Sequence, residues 1–280
     1  MNGNVKNLPY VLELLDDDTP VVRDAVRAEL LGFGDTLDEV LKGLNPPPSP
    51  DQREQIRQLL LPIRRQRFEE QWSAWYGLDD LYDQLETAYQ LMAEYLEPDS
   101  GQPRLAPLLD RLAGEYREQA DAINVRTLSG FLFHQKAFRG AHIDYYSPEN
   151  SNLVHVLQTR RGIPLSLTCL LMLVGKRVGL AIQGCNFPGH FLARSGHGRD
   201  RLFIDCFDRG KFLSEVDLIH AHGEAVRESL RSEATAKVIL ERMLRNLVQA
   251  FRKRGHEDQA DFMMHMLEAT REALIRPRQP

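Results

Sequence analysis

RRGIPLSLTCLLMLVGKRVGL, Arg160 to Leu180, decides the fold. Arg160, Arg161 and Gly162 read as a tight turn, and Pro164 stands at a first helical position, where a missing N–H costs nothing. The residues that follow are apolar on almost every side, so the helix is buried whole. Period-two segments come next: AIQGCNF (Ala181–Phe187), HFLAR (His190–Arg194) and LFIDCF (Leu202–Phe207). The polar, glycine-rich SGHGRDR between the last two predicts a hairpin. Alternation then puts His190, Leu192 and Arg194 on one face of their strand, and Phe203, Asp205 and Phe207 on one face of the next. Asp205 is expected beside His190. A central buried helix followed by antiparallel strands makes an α+β class.

Helices are predicted before this core over Leu78–Leu96, Pro103–Tyr116 and Asn124–Gln135. The stretch from Leu8 to Trp75 reads as wholly helical. Thr19 caps a helix with Pro20 at its first position and Gly32 and Gly34 at its end. A further helix, Thr36–Leu44, stops at NPPPSP, which no helix crosses, and Ser49-Pro50 opens a long charged helix over Asp51–Trp75. The pairing of a leucine pair with D-x-x-P-x-V-R resembles one HEAT-type repeat. After the core, Glu233–Leu274 reads as a helical hairpin broken at Gly255, with Leu244, Leu247 and Phe251 on one stripe and Ala260, Met263, Met264 and Leu267 on the other. It resembles one tetratricopeptide unit, and a lone unit is expected to pack onto the core and bury its methionines there. Three regions result: 1–76 helical and HEAT-like, 77–230 the core domain, and 231–280 the hairpin and tail.

The chain has 280 residues, 42% of them hydrophobic, enough for one sizeable core plus an appendage. Its formal net charge of −5 is mixed along the chain, with no basic face for nucleic acid. The longest apolar run, around Leu165 to Val174, is too short to span a bilayer, so no membrane association is expected. The start MNGNVKNLPY lacks an apolar signal region, and Asn2 stands where myristoylation needs glycine. Cys169, Cys185 and Cys206 are odd in number and not spaced as zinc ligands, so free thiols in a reducing cytoplasm are expected, with no metal and no cofactor.

The run F-R-G (Phe138–Gly140), D-Y-Y-x-P (Asp144–Pro148), N-S-N-L (Asn150–Leu153), R-R-G-I-P-L-S-L (Arg160–Leu167), G-L-A-I-Q-G (Gly179–Gly184), F-P-G-H-F-L-A-R (Phe187–Arg194) and I-D-C-F (Ile204–Phe207) resembles the bacterial transglutaminase-like proteins of the SirB group. The resemblance covers about residues 78–275. It implies a transglutaminase-like (papain-like) core, often with a tetratricopeptide tail, and a Cys-His-Asp triad. In that triad a thiolate on the first turn of the central helix is activated by the helix N-terminus, a histidine takes the proton, and an aspartate holds the ring. His190 and Asp205 fall where the resemblance places the last two.

The nucleophile does not carry over. Counted back from the R-V-G-L that ends the helix, Pro164 stands where active members have cysteine. Four cases remain open. Ser166 is a helix-start residue bonded to backbone, or a serine nucleophile without the usual strand-to-helix elbow. Cys169, about one turn deeper, reads as a small core residue, and Cys185 could face the cleft. Two functions follow, a non-catalytic module that binds a protein or peptide partner in the old cleft, or a hydrolase or acyltransferase in which His190 and Asp205 serve Ser166 or Cys169.

Arg160 and Arg161 precede a helix N-terminus, where cations need an answering anion; they either bind a phosphate or carboxylate or pair internally with Asp144 or Glu149. Tyr145 and Tyr146 read as walls of core or cleft, and with Asn152 they complete the candidate binding residues. His220 and His222 lack a metal-ligand pattern. His197 is expected to be solvated. Oligomeric state is not readable from the chain.

Overall fold

The structure, a computed structural model, describes residues 3–97, 103–196, 198 and 201–273. His197 and the final residue of the expected hairpin, Leu274, lie outside the described residues. The chain forms two units, one of the residues up to Ser73 together with Glu97, the other of Ala74–Leu96 and the residues from Pro103 on, and each has its own core.

The first unit is helical: α1 (Leu8–Glu13), α2 (Pro20–Leu31), α3 (Leu37–Lys42) and α4 (Pro50–Trp72). Its core gathers Leu8, Val11, Val26, Leu30, Phe33, Leu37, Leu41, Ile56, Leu59 and Leu60. Ser49 accepts from the Gln52 amide while the Gln52 side chain accepts from the Ser49 N–H, a reciprocal cap that fixes where α4 starts. Thr19 departs from expectation. It stands at the cap position of α2, but its side chain makes no capping bond, and its N–H is tied back to the Asp17 carboxylate at 2.8 Å.

The second unit is a mixed fold with a small antiparallel sheet. α5 (Leu81–Leu96), α6 (Leu105–Gln119), α7 (Val125–Gly130) and α8 (Leu153–Thr159) precede α9 (Pro164–Arg177). Every residue of α9 from Pro164 to Gly175 is buried. The helix packs on α5, α6 and α8 on one side and on β3 (Ile182–Cys185) and β4 (Leu192–Ser195) on the other. The sheet is completed by β5 (Leu202–Asp205) and β6 (Lys211–Leu213), in the order β3-β4-β5-β6. A second sheet consists only of β1 (Arg139–Gly140) and β2 (Arg161–Gly162), paired in parallel just ahead of α9.

α10 (Glu215–His222) and α11 (Arg227–Arg231) lead to a hairpin of α12 (Ala236–Lys253) and α13 (Glu257–Ala273). Gly255 turns the chain between them at φ +76°, a left-handed conformation that glycine adopts without strain. Met243, Met263 and Met266 are fully buried, and α12 packs on α5 and α9. The hairpin is thereby part of the second unit's core.

Several element limits differ from the sequence reading. The expected helix Asn124–Gln135 is α7 followed by a π-helical turn over Phe131–Gln135. The expected strand His190–Arg194 begins only at Leu192, which leaves His190 in the turn before it. The Phe187 carbonyl accepts from the His190 N–H at 3.0 Å, closing that turn and keeping His190 out of the ladder.

Candidate functional site

β4 and β5 are antiparallel, with Ala193 opposite Ile204 and Arg194 opposite Phe203. Asp205 ends β5, and His190 lies in the turn that feeds β4, so the two approach at the same end of the sheet. His190 Nε2 and Asp205 Oδ2 are 2.8 Å apart. The other carboxylate oxygen, Oδ1, accepts from the backbone N–H groups of Phe207 and Asp208, both at 3.0 Å. Asp205 therefore fixes the turn after β5 and the imidazole together.

Burial is the largest influence on Asp205 and pushes its pKa up. The His190 hydrogen bond, the Asp208 amide, the His190 charge and the Phe207 amide oppose it and leave the pKa below the ordinary carboxylate value. Both side chains are partly shielded, with 27% of His190 and 15% of Asp205 exposed. Nε2 is engaged by the carboxylate, and Nδ1 has no hydrogen-bond partner among the described residues. An aspartate-held imidazole with its second nitrogen unengaged can accept or deliver a proton.

Aromatic rings surround the pair. Phe207 meets His190 at 6.4 Å, His142 at 4.5 Å and Tyr145 at 5.9 Å between ring centres, and Tyr145 meets Tyr146 at 5.2 Å. Gly140 makes room for Phe207: a Cβ at that position would lie 2.6 Å from the ring. Tyr145 and Tyr146 remain partly exposed. Burial pushes the Tyr145 hydroxyl pKa up, against the lowering effect of the Arg242 charge.

Pro164 is the first residue of α9 and Ile163 its N-cap. Ser166 is fully buried, and its Oγ donates to the Asn150 carbonyl at 2.7 Å while accepting from the Ile163 N–H at 3.1 Å. Gly162 lies against it, for a Cβ there would stand 2.7 Å from Oγ. Cys169 is fully buried, and burial pushes its thiol up to about 12, against a lowering contribution from Tyr89. Cys185 donates to the Ser229 carbonyl at 3.2 Å, and burial raises its thiol to about 11. Cys206 is buried and its thiol is likewise raised by burial. The structure thus brings His190 and Asp205 together, and none of these four groups hydrogen-bonds to His190.

Asn152 is fully buried and caps α8, its Oδ1 accepting from the Val154 N–H at 2.9 Å and the His155 N–H at 3.3 Å. Arg160 and Arg161 are exposed, Arg160 in a left-handed conformation at the end of α8. The expected pairing of these arginines with Asp144 or Glu149 does not occur. Arg254, the residue that caps the C-terminus of α12, donates to both Asp144 oxygens at 2.7 and 2.8 Å, and Glu149 accepts from Ser147. The sequence reading missed that bond because it spans 110 positions. It also read Arg194 only as a strand residue. Arg194 is buried and clamps the last turn of α11, donating to the carbonyls of Leu230 and Arg231 at 3.2 and 2.9 Å and to Gln183 at 2.6 Å.

Among the described residues, no three His, Cys, Asp or Glu side chains gather as metal ligands, and no helix is long and apolar enough to cross a membrane. No solved structure matches the chain at a significant level. A UPF0162 protein of Xylella fastidiosa is 30% identical over 223 residues, 73% of this chain and 75% of the relative. F-box only protein 21 of Mus musculus is 33% identical over 143 residues, which are 48% of this chain but 22% of that protein, and its human counterpart is 27% identical over 188 residues, 64% of this chain and 30% of the relative. The family model described as the transglutaminase-like superfamily matches residues 78–245, more than half of the chain. With that match, around a buried helix and an aspartate-held histidine, the chain belongs to the transglutaminase-like superfamily.

Proposed function

We propose that this chain is a transglutaminase-like module that has lost the nucleophile and acts by binding a protein or peptide at the cleft beside His190. One observation carries the reading: the hydroxyl in the first turn of α9 is already spent on backbone. Ser166 donates to Asn150 and accepts from Ile163, so it has no remaining proton for His190 to take. Cys169 supports the same view, because a thiol held near 12 supplies almost no thiolate at neutral pH. Pro164 is the first residue of α9, and by the motif resemblance that is where active members hold cysteine.

Within the superfamily we read the chain as SirB-like on the order of its motifs from Phe138 to Phe207. We read residues 1–76 as a HEAT-like appendage, 77–230 as the transglutaminase-like domain, and 231–280 as a tetratricopeptide-like hairpin with its tail. Three free cysteines support a reducing, cytoplasmic setting. A second reading is favoured by the His190–Asp205 bond itself: a hydrolase or acyltransferase on amide or acyl bonds, with Ser166 or Cys169 as nucleophile, His190 as base and Asp205 as orienter.

Labelling separates the two. The intact protein is treated with a fluorophosphonate and with iodoacetamide, and modified sites are mapped by mass spectrometry. The binding-module reading expects Ser166 and Cys169 unmodified while folded. Labelling of either that disappears in His190→Ala establishes the enzyme instead.

A further inference from the structure

The β1–β2 pair places two arginines opposite one another with no carboxylate between them. Arg139 and Arg161 are register partners in adjacent parallel strands, and both are exposed. Arg160 adjoins them in a left-handed backbone at φ +61°, a conformation costly for a residue with a Cβ. Like charges facing each other across a strand pair destabilise it. No ion pair relieves any of the three among the described residues. The acidic side chains near them in sequence are committed elsewhere, Asp144 to Arg254 and Glu149 to Ser147.

We propose that this arginine edge is the docking site for an acidic peptide segment of a partner protein. The inference rests on the binding-module reading and names the chemistry of the partner. Guanidinium groups pair with carboxylates in a two-pronged fashion, and an acidic segment would turn the repulsion between Arg139 and Arg161 into shared attraction. Backbone geometry favours a peptide over a small phosphate. A phosphate cradle is built from free backbone N–H groups, and here those of the three arginines are occupied: Arg139 N donates to the Arg160 carbonyl at 3.0 Å, Arg160 N to the Val156 carbonyl at 2.8 Å, and Arg161 N to the Thr159 hydroxyl at 3.4 Å.

The apolar neighbours fit the same occupant. Four residues beyond Arg139, the Ile143 side chain is 95% exposed, and Tyr145 and Tyr146 beside it are partly open to solvent. Gly140, next to Arg139, lies against Phe207, whose ring meets Tyr145 and His190. In sequence the basic edge thus leads into exposed apolar and aromatic side chains, and through Phe207 it borders the His190 ring. A peptide with carboxylates flanking an apolar side chain engages both; a free anion engages only the first.

The test uses the full chain and a fluorescein-labelled peptide of alternating Glu-Glu-Leu units, read by fluorescence anisotropy, with Lys-Lys-Leu and Ser-Ser-Leu peptides beside it. The acidic peptide is expected to bind, and binding should weaken as salt shortens the reach of the charges from about 30 Å to below about 10 Å. The double variant Arg139→Gln/Arg161→Gln should lower its affinity at least about tenfold, and Ile143→Ser several-fold, with thermal melts confirming that each variant is folded. Equal affinity for the three peptides, or an unchanged affinity in the double variant, overturns the proposal. So does inorganic phosphate that raises the melting temperature of the parent protein but not of the double variant while the acidic peptide fails to bind. Loss of peptide binding leaves the labelling experiment untouched, and nucleophile labelling leaves the peptide result untouched, so the two readings fail separately.

Discussion

Ser166 Oγ donates a hydrogen bond to the Asn150 carbonyl at 2.7 Å, which ties the first turn of α9 to the segment before α8. This bond makes Ser166 a structural residue of the helix start, and it explains why Gly162 must stay small. Replacing Ser166 by Ala leaves the buried Ile163 N–H and the Asn150 carbonyl without that partner. We expect Ser166→Ala to lose about 1–3 kcal/mol in urea unfolding at neutral pH. A stability equal to that of the parent would mean that the hydroxyl is not committed as described.

His190 and Asp205 are expected to matter unequally to folding. His190→Ala removes one bond and leaves Asp205 held by the Phe207 and Asp208 amides. Asp205→Ala removes all three. Thermal melts of the two variants should therefore both fall, with Asp205→Ala the lower, by about 1–3 kcal/mol at the transition. Reversed order in the melts would count against Asp205 as the anchor of that turn.

The lowered Asp205 pKa gives a direction to the pH dependence. A carboxyl whose folded pKa lies below its unfolded value contributes stability above the unfolded value, about 3.9, and loses it as the pH falls through the folded one. The difference in unfolding free energy between the parent and Asp205→Asn should shrink as the pH falls below about 4. Urea titrations across that range measure it. A gap that widens on acidification would show that the carboxylate is raised, not lowered.

Much of the second unit is written in residue patterns. The all-round apolar run from Leu165 to Val174 marks α9 because no solvent face interrupts it, and Gly255 marks the hairpin turn because the left-handed conformation there favours glycine. The His190–Asp205 approach follows from period-two strands joined by a short loop, although His190 itself sits in the turn. What escaped reading is either too short or too distant. β1 and β2 have two residues each, less than one full alternation, and β6 has three with no buried stripe. The Arg254–Asp144 contact depends on how α12 lies across the domain, which no local pattern encodes.

Gly140 is a sensitive point beside the His190–Asp205 pair. An added methyl would stand 2.6 Å from the Phe207 ring, which packs beside His142, Tyr145 and His190. Gly140→Ala should displace the ring and cost about 1–3 kcal/mol of overpacking, with a changed near-ultraviolet circular dichroism signal. An unaltered aromatic spectrum would mean that Phe207 and Gly140 are not in contact.

The three native thiols are expected to be slow. Cys169, Cys185 and Cys206 are buried, and burial raises all three above the ordinary thiol pKa. Ellman's reagent should find no rapidly reacting thiol in the folded protein at neutral pH and all three in denaturant. A fast native equivalent that maps to Cys169 would contradict the assignment of that residue to the core.

If base and orienter remain while the nucleophile is gone, a thiol restored at the start of α9 should respond to His190. In Pro164→Cys the introduced thiol stands at the first position of α9, where free N–H groups and the helix field favour a thiolate. Against the silent native cysteines, its iodoacetamide rate across pH reads its pKa. We expect a thiol titrating well below the ordinary value of about 8.5, with that shift abolished in Pro164→Cys/His190→Ala. An ordinary titration, identical with and without His190, would contradict it.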